Sequence, residues 1–331
     1  MNMKSIGKTL YLKNWSSLIL SSFMLIGLSN CSDKEELKEL LASEPHFQVS
    51  CGQLLSIDSL SSEFISKRNI EIWLPPHFDE NEKYAVLYMH DGQMLFDAST
   101  SWNHQEWGVD EVLCNLFENK TVPPCIVVGV WNAGRNRHSE YFPQKVFESL
   151  PQDLLDSLYG LQRSATDKLF GEKVYSDNYL KFLTQELKPF IDKNLNTLSD
   201  PAHTFIAGSS MGGLISFYAA MEYPSVFGGA ACLSSHWPGI MPSDNNPIPQ
   251  AFVDYAATNL PPPSINKWYF DFGTETLDAS YEPLQTRIDS VFLAKGYNFS
   301  NWMTYKAEGA DHTEKSWNAR LEIPFGYLMN P

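Results

Sequence analysis

His203-Thr204-Phe205-Ile206-Ala207-Gly208-Ser209-Ser210-Met211-Gly212-Gly213-Leu214-Ile215-Ser216-Phe217-Tyr218-Ala219-Ala220 joins an apolar run to a helical one through a glycine-rich turn. Its opening residues suit a buried strand and its closing residues suit a helix, with a G-x-S-x-G turn centred on Ser210 between them. Glycines on both sides of the serine let the chain reverse sharply and let strand and helix approach. Ser210 is left at the helix N-terminus, where the partial positive charge favours developing negative charge. Ser209 is one residue out of place and reads as a neighbour.

The same alternation extends along the chain. Strands are predicted at Asn69–Leu74, Tyr84–Met89, Cys125–Val130, Thr204–Ala207, Gly229–Leu233, Trp268–Phe272 and Trp302–Lys306. Helices are predicted at Asp110–Glu118, Asn178–Leu195, Leu214–Glu222 and Pro283–Lys295, with a last one at Trp317–Met329 interrupted by Pro324. Several strands are continuous apolar runs, as burial on both faces requires. Strands alternating with helices give an α/β class: one domain, with a mainly parallel sheet covered on both faces. Residues 144–177 and 237–264 break the pattern and read as insertions beside a cleft or as surface decoration.

Composition narrows the function. The chain has 331 residues, 43% of them hydrophobic, and a formal charge of −15. No basic cluster lies outside the extreme N-terminus, so the surface repels a nucleic-acid backbone. Residues 1–30, with Lys4, Lys8 and Lys13 ahead of an apolar stretch, read as a secretory signal. Leu28-Ser29-Asn30-Cys31 resembles a lipobox, which makes Cys31 the lipidated residue. Asn30 departs from the small residue usual there. The acidic run Ser32–Glu36 resembles the surface-export signals of Bacteroidetes lipoproteins, or is simply a solvated tether. The expected organisation is a signal at 1–30, a polar tether at 31–45 and an α/β domain at 46–331. The expected location is the outer membrane or cell surface, with the periplasmic side as the alternative. Cys114, Cys125 and Cys232 lie in apolar runs and read as core thiols, although an exported chain can oxidise its cysteines.

A serine hydroxyl needs a base to become a nucleophile. His312, in the Gly-containing loop after the Trp302–Lys306 strand, is the candidate, because the order serine, acid, histidine then holds along the chain. The acid belongs just past the Trp268–Phe272 strand, where Asp278 and Glu275 both qualify, with Asp278 preferred as the shorter and stiffer orienter. Oxyanion donors are expected from the backbone amides of Met211, which follows the nucleophile, and Gln93, in His90-Asp91-Gly92-Gln93.

With His90–Gln93, Gly208–Gly213 and Gly309-Ala310-Asp311-His312 taken together, the chain resembles the putative-esterase family of α/β-hydrolases over about residues 65–330. That family includes esterase D, feruloyl and acetyl-xylan esterases, and enterochelin esterases. The resemblance implies an α/β-hydrolase fold and serine esterase chemistry by an acyl-enzyme, with no metal or organic cofactor. It implies a small-molecule or glycan ester as substrate, acetyl or feruloyl for example. The alternatives are a siderophore ester and a non-catalytic surface binding protein on the same fold. His236 and Trp237, after the Gly229–Leu233 strand, and Arg137 are the candidates for contact with substrate.

Overall fold

The computed structural model describes residues 37–99, 101–241, 243–264 and 266–330. The signal at 1–30, Cys31 and the acidic run lie outside the described residues. Eight strands form one sheet: β1 Gln53–Leu60, β2 Arg68–Leu74, β3 Ala85–His90, β4 Cys125–Val130, β5 Thr204–Ser209, β6 Gly229–Leu233, β7 Lys267–Gly273 and β8 Trp302–Ala307. Their order across the sheet is β1-β2-β4-β3-β5-β6-β7-β8. β1 and β2 run antiparallel, as do β2 and β4, and every other neighbouring pair is parallel. This is the α/β-hydrolase fold expected from the sequence.

The central strands are largely apolar because both their faces are covered. Alternate residues of a strand point to opposite faces. Val86, Tyr88, Ile206 and Phe270 therefore belong to one core layer, and Leu87, Met89, Ala207 and Tyr269 to the other. The first layer packs under α2 (Ser176–Lys181, Phe182–Leu187 and Lys188–Asn194 in succession, the middle turn π-wound), α3 (Met211–Glu222), α4 (Ile248–Asn259) and α5 (Glu282–Ala294). The second packs under α1 (Val109–Glu118) and α6 (Glu322–Met329).

Departures from the sequence reading have physical causes. β1 has no clean apolar alternation, because its buried Ser56 replaces an apolar contact with a hydroxyl bonded to Glu71. Leu37 and Leu41, inside the segment read as tether, lie against the core. The insertion at 237–264 contains α4, which buries Ile248, Phe252, Tyr255 and Ala256 at helical spacing. The C-terminal helix breaks ahead of Pro324, between Glu314–Asn318 and Glu322–Met329. Pro324 then falls in the first turn, where a missing N–H costs nothing. Cys114 is not a free core thiol: it is disulfide-bonded to Cys51, which the fold brings beside it. Cys125 and Cys232 are buried free thiols.

Candidate active site

Ser210 occupies the turn between β5 and α3, with φ 58° and ψ −119°. A non-glycine residue rarely adopts that conformation, and it persists only where the surroundings over-determine it. They do so here through three hydrogen bonds. Ser210 N donates to Leu233 O at 2.9 Å, and Ser210 O accepts from His236 N and Leu214 N, both at 3.2 Å. The turn closes so tightly that a Cβ on Gly208 would lie 2.8 Å from Gly212 C. Met211 is the first residue of α3, so its N–H has no acceptor within the helix.

Asp278 lies in a 3-10 turn, Thr276–Ser280, just after β7. It is 1% exposed, and its Oδ1 is 2.5 Å from His312 Nδ1. A carboxylate only accepts, so Nδ1 carries the proton and Nε2 is left as the acceptor. Asp278 Oδ2 accepts from Ser234 Oγ at 2.5 Å and Gly273 N at 2.6 Å. Burial alone would raise this carboxyl, but the His312, Ser234 and Gly273 donors outweigh it and hold the pKa below the usual range. The His312 ring is held edge-on by Trp317 at 5.0 Å and Tyr281 at 5.9 Å, and its backbone N donates to Thr276 Oγ1 at 3.0 Å. Glu275 is exposed and away from this pair, its amide bonded to Ala310 O.

Sequence reasoning missed the layer behind the pair. Asp271 is fully buried and pairs with Arg320 through Nε at 2.9 Å and Nη2 at 3.0 Å. Ser234 Oγ accepts from Arg320 Nη2 and Trp317 Nε1, each at 3.0 Å, and passes its own proton toward Asp278. A chain of hydrogen bonds thus runs from Arg320 through Ser234 to Asp278, which accepts from His312 on its other oxygen. No local motif marks it, since Arg320 lies 86 residues from Ser234.

Gln93 sits in the turn Gly92–Met94 after β3. A Cβ on Gly92 would lie 2.6 Å from Gly129 C, so only glycine lets this loop close on β4. Asp91, at φ 58° and ψ 45°, starts the turn and is pinned by Arg137 through Nε at 2.6 Å and Nη2 at 2.7 Å, and by Asn132 Nδ2 at 2.7 Å. Burial raises the Asp91 carboxyl, but the charge and hydrogen bonds of Arg137, with Asn132, bring it below its ordinary value.

Ser210, His312, Gln93, Trp131, Arg137 and Arg163 line one cleft of about 840 Å³. No hydrogen bond joins Ser210 to His312 among the described residues. Arg137, a candidate for substrate contact, lines the cleft with its guanidinium committed to Asp91. Two expectations are corrected. Trp237 is 1% exposed and packs on Phe217, Phe252 and Phe270, with its indole N–H on Gln285 Oε1, so it is core and offers no stacking platform. His236 is buried too, between Tyr281 OH at 2.5 Å and Ile240 O at 3.0 Å. Burial, then the charge of nearby His312, push its pKa down to about 3, so it stays neutral behind the site. Both residues follow a strand end, but the positive φ of Ser234 and of Gly239 turns the segment inward.

Residues 61–322 match the model of the family described as "Putative esterase". The Uncharacterized protein YbbA of Bacillus subtilis is 29% identical over 181 residues, covering 54% of this chain and 61% of its own length. An endo-1,4-beta-xylanase/feruloyl esterase of Xylanibacter ruminicola is 26% identical over 188 residues, 54% of this chain and 21% of that protein. The chain therefore spans less than two thirds of the length of these curated relatives. Among solved structures, an IroE-like serine hydrolase from Shewanella oneidensis superposes with a TM-score of 0.63 at 18% identity, covering 84% of this chain and 80% of that one, a likeness of fold. The extent of the family match, on this sheet and this site, makes the chain a member of the putative-esterase family of α/β-hydrolases.

Proposed function

We propose that the chain is a serine carboxylic-ester hydrolase working through an acyl-enzyme. The observation that carries this reading is the buried Asp278–His312 pair opening onto the same cleft as Ser210. Ser210 Oγ attacks the ester carbonyl while His312 Nε2 takes its proton. Asp278 stabilises the resulting imidazolium and keeps the ring in the tautomer the reaction needs. The amides of Met211 and Gln93 hold the oxyanion, helped by the N-terminus of α3. As the tetrahedral intermediate collapses, His312 returns the proton to the leaving alkoxide. Water, deprotonated by His312, then attacks the acyl-Ser210, and the acid departs as the serine recovers its proton. The Ser210–His312 hydrogen bond forms as substrate seats, as such contacts commonly do.

Acyl or feruloyl groups on glycans are the proposed substrates. The name of the Xylanibacter ruminicola relative and the aromatic lining of the cleft, Phe47, Trp102 and Trp131, support this reading. Export as a lipoprotein, with a signal at 1–30, lipid on Cys31 and the outer membrane or cell surface as destination, is the accompanying proposal. A fluorophosphonate probe tests the chemistry: wild type is labelled and Ser210→Ala is not. Absent or equal labelling overturns the esterase reading and favours a binding protein. A panel of p-nitrophenyl acetate, methyl ferulate, acetylated xylan and enterobactin then sorts the substrate. Turnover of enterobactin alone replaces the glycan reading with the siderophore one. Cys31→Ala releases the protein from the membrane fraction; retention there rules out the lipid anchor.

A further inference from the structure

Trp131, just past β4, forms one wall of the cleft and stacks on Phe47 with ring centroids 5.8 Å apart and planes 15° apart. Phe47 belongs to the segment ahead of β1, so that wall is built from two distant parts of the chain. Behind it lies a second polar network, buried at Glu71 and Ser56 and open to solvent at Asp58, that the proposed chemistry does not use. Glu71 of β2, fully buried, accepts from Trp131 Nε1 at 2.8 Å, Ser56 Oγ at 2.5 Å and His46 Nδ1 at 2.5 Å. His46 Nε2 faces Asp58 Oδ1 at 2.8 Å. The His46 ring also meets Trp131 edge-on at 5.6 Å.

Both ring nitrogens of His46 thus face carboxylate oxygens, which only accept, so the ring makes both hydrogen bonds only as an imidazolium. We propose that His46 is a positioning residue for the candidate active site: clamped between Glu71 and Asp58, it seats the Phe47–Trp131 wall against which the substrate rests. The inference rests on the esterase reading for its link to turnover, but not for the clamp itself. The charged groups facing His46 are Glu71 from β2 and Asp58 from β1. Arg68, which donates to Trp131 O, is itself neutralised by Glu140. Burial lowers the His46 pKa, yet the hydrogen bonds and charges of Glu71 and Asp58 outweigh it and leave the pKa raised. The imidazolium, and with it the clamp, therefore persists to higher pH than in a free imidazole and is lost as pH rises through the folded-state value.

Steady-state kinetics from pH 6 to 9, on whichever of p-nitrophenyl acetate or methyl ferulate the wild type hydrolyses, tests the link to substrate. Wild-type KM is expected to rise at least threefold over that range. His46→Gln, which cannot serve both carboxylates, raises KM at pH 6 and removes the pH trend, with kcat within twofold. His46→Arg, a cation throughout, restores a low and level KM. A wild-type pattern in His46→Gln overturns the inference. Amide hydrogen exchange tests the clamp without turnover: the His46 amide donates to Ser56 Oγ at 2.9 Å, and protection at that position at pH 6 falls at least tenfold in His46→Gln. Equal protection in the two proteins overturns the clamp. Absent turnover and absent Ser210 labelling in wild type sink the esterase reading instead, and the exchange result still decides the clamp.

Discussion

Ser234 Oγ donates to Asp278 Oδ2 at 2.5 Å while accepting from Arg320 Nη2 and Trp317 Nε1. One hydroxyl therefore joins the carboxylate that orients His312 to the buried Arg320–Asp271 ion pair beneath it. A hydrogen bond to a charged group contributes about 1.5–3 kcal/mol. Ser234→Ala should lower kcat by roughly tenfold or more on p-nitrophenyl acetate, with KM little changed, because the missing donor loosens the orienter and not the cleft. A drop confined to KM would place Ser234 in substrate binding instead.

Burial favours Asp278 over Glu275 as the proposed acid. Asp278 reaches His312 from an enclosed turn, whereas Glu275 points to solvent. Asp278→Ala should cost on the order of 10³–10⁴ in kcat, as loss of an orienting carboxylate does. Glu275→Ala should stay within about threefold. The reverse order, at equal thermal stability, would move the orienting role to Glu275.

What was legible in the chain was local. The strand, turn and helix around Ser210 lie within one contiguous stretch, so glycine placement and apolar runs sufficed to read them. His312 is a candidate from chain order, and the strand end narrows the acid only to Asp278 or Glu275. The support layer was not legible, because Ser234, Asp271 and Arg320 meet only after β6, β7 and the C-terminal segment pack together. Trp237 misled for the related reason that exposure at a strand end depends on backbone φ, which a tryptophan does not announce. Trp237→Ala should accordingly cost about 3–5 kcal/mol of stability, read by urea unfolding, as truncation of a core aromatic does. A rise in KM without loss of stability would restore its substrate role.

Asp110, at the start of the Val109–Glu118 helix, accepts from Ser50 N at 2.7 Å and Ser50 Oγ at 3.0 Å through Oδ2, while Oδ1 is buried with no hydrogen-bond partner among the described residues. Burial, then the neighbouring Glu111 carboxylate, push the Asp110 pKa up to about 6. The unfolded value is about 3.9. A carboxyl raised on folding gives its full stabilisation below the unfolded value and loses it as pH climbs through the folded one. Asp110→Asn keeps an oxygen for Ser50 and removes the ionisation. It should raise Tm at pH 8 relative to wild type and give little or no gain at pH 4, by scanning calorimetry. A benefit that is larger at pH 4 would contradict the raised pKa.

Cys51 and Cys114 close a loop across a sequence separation of 63 residues. Chain entropy alone gives such a crosslink about 4 kcal/mol. For a domain of this size that corresponds to a Tm loss on the order of 10 °C in the Cys51→Ser/Cys114→Ser double variant. Wild type treated with a phosphine reductant should fall to the same Tm, while the double variant should not respond to it. The bond also does more than crosslink. With Ser50 bonded to Asp110, it fastens the segment carrying His46 and Phe47 to the Val109–Glu118 helix, next to the cleft wall at Trp131. The double variant should therefore show a raised KM at temperatures well below its Tm, with kcat nearly unchanged. A KM equal to wild type under those conditions would limit the disulfide to global stability.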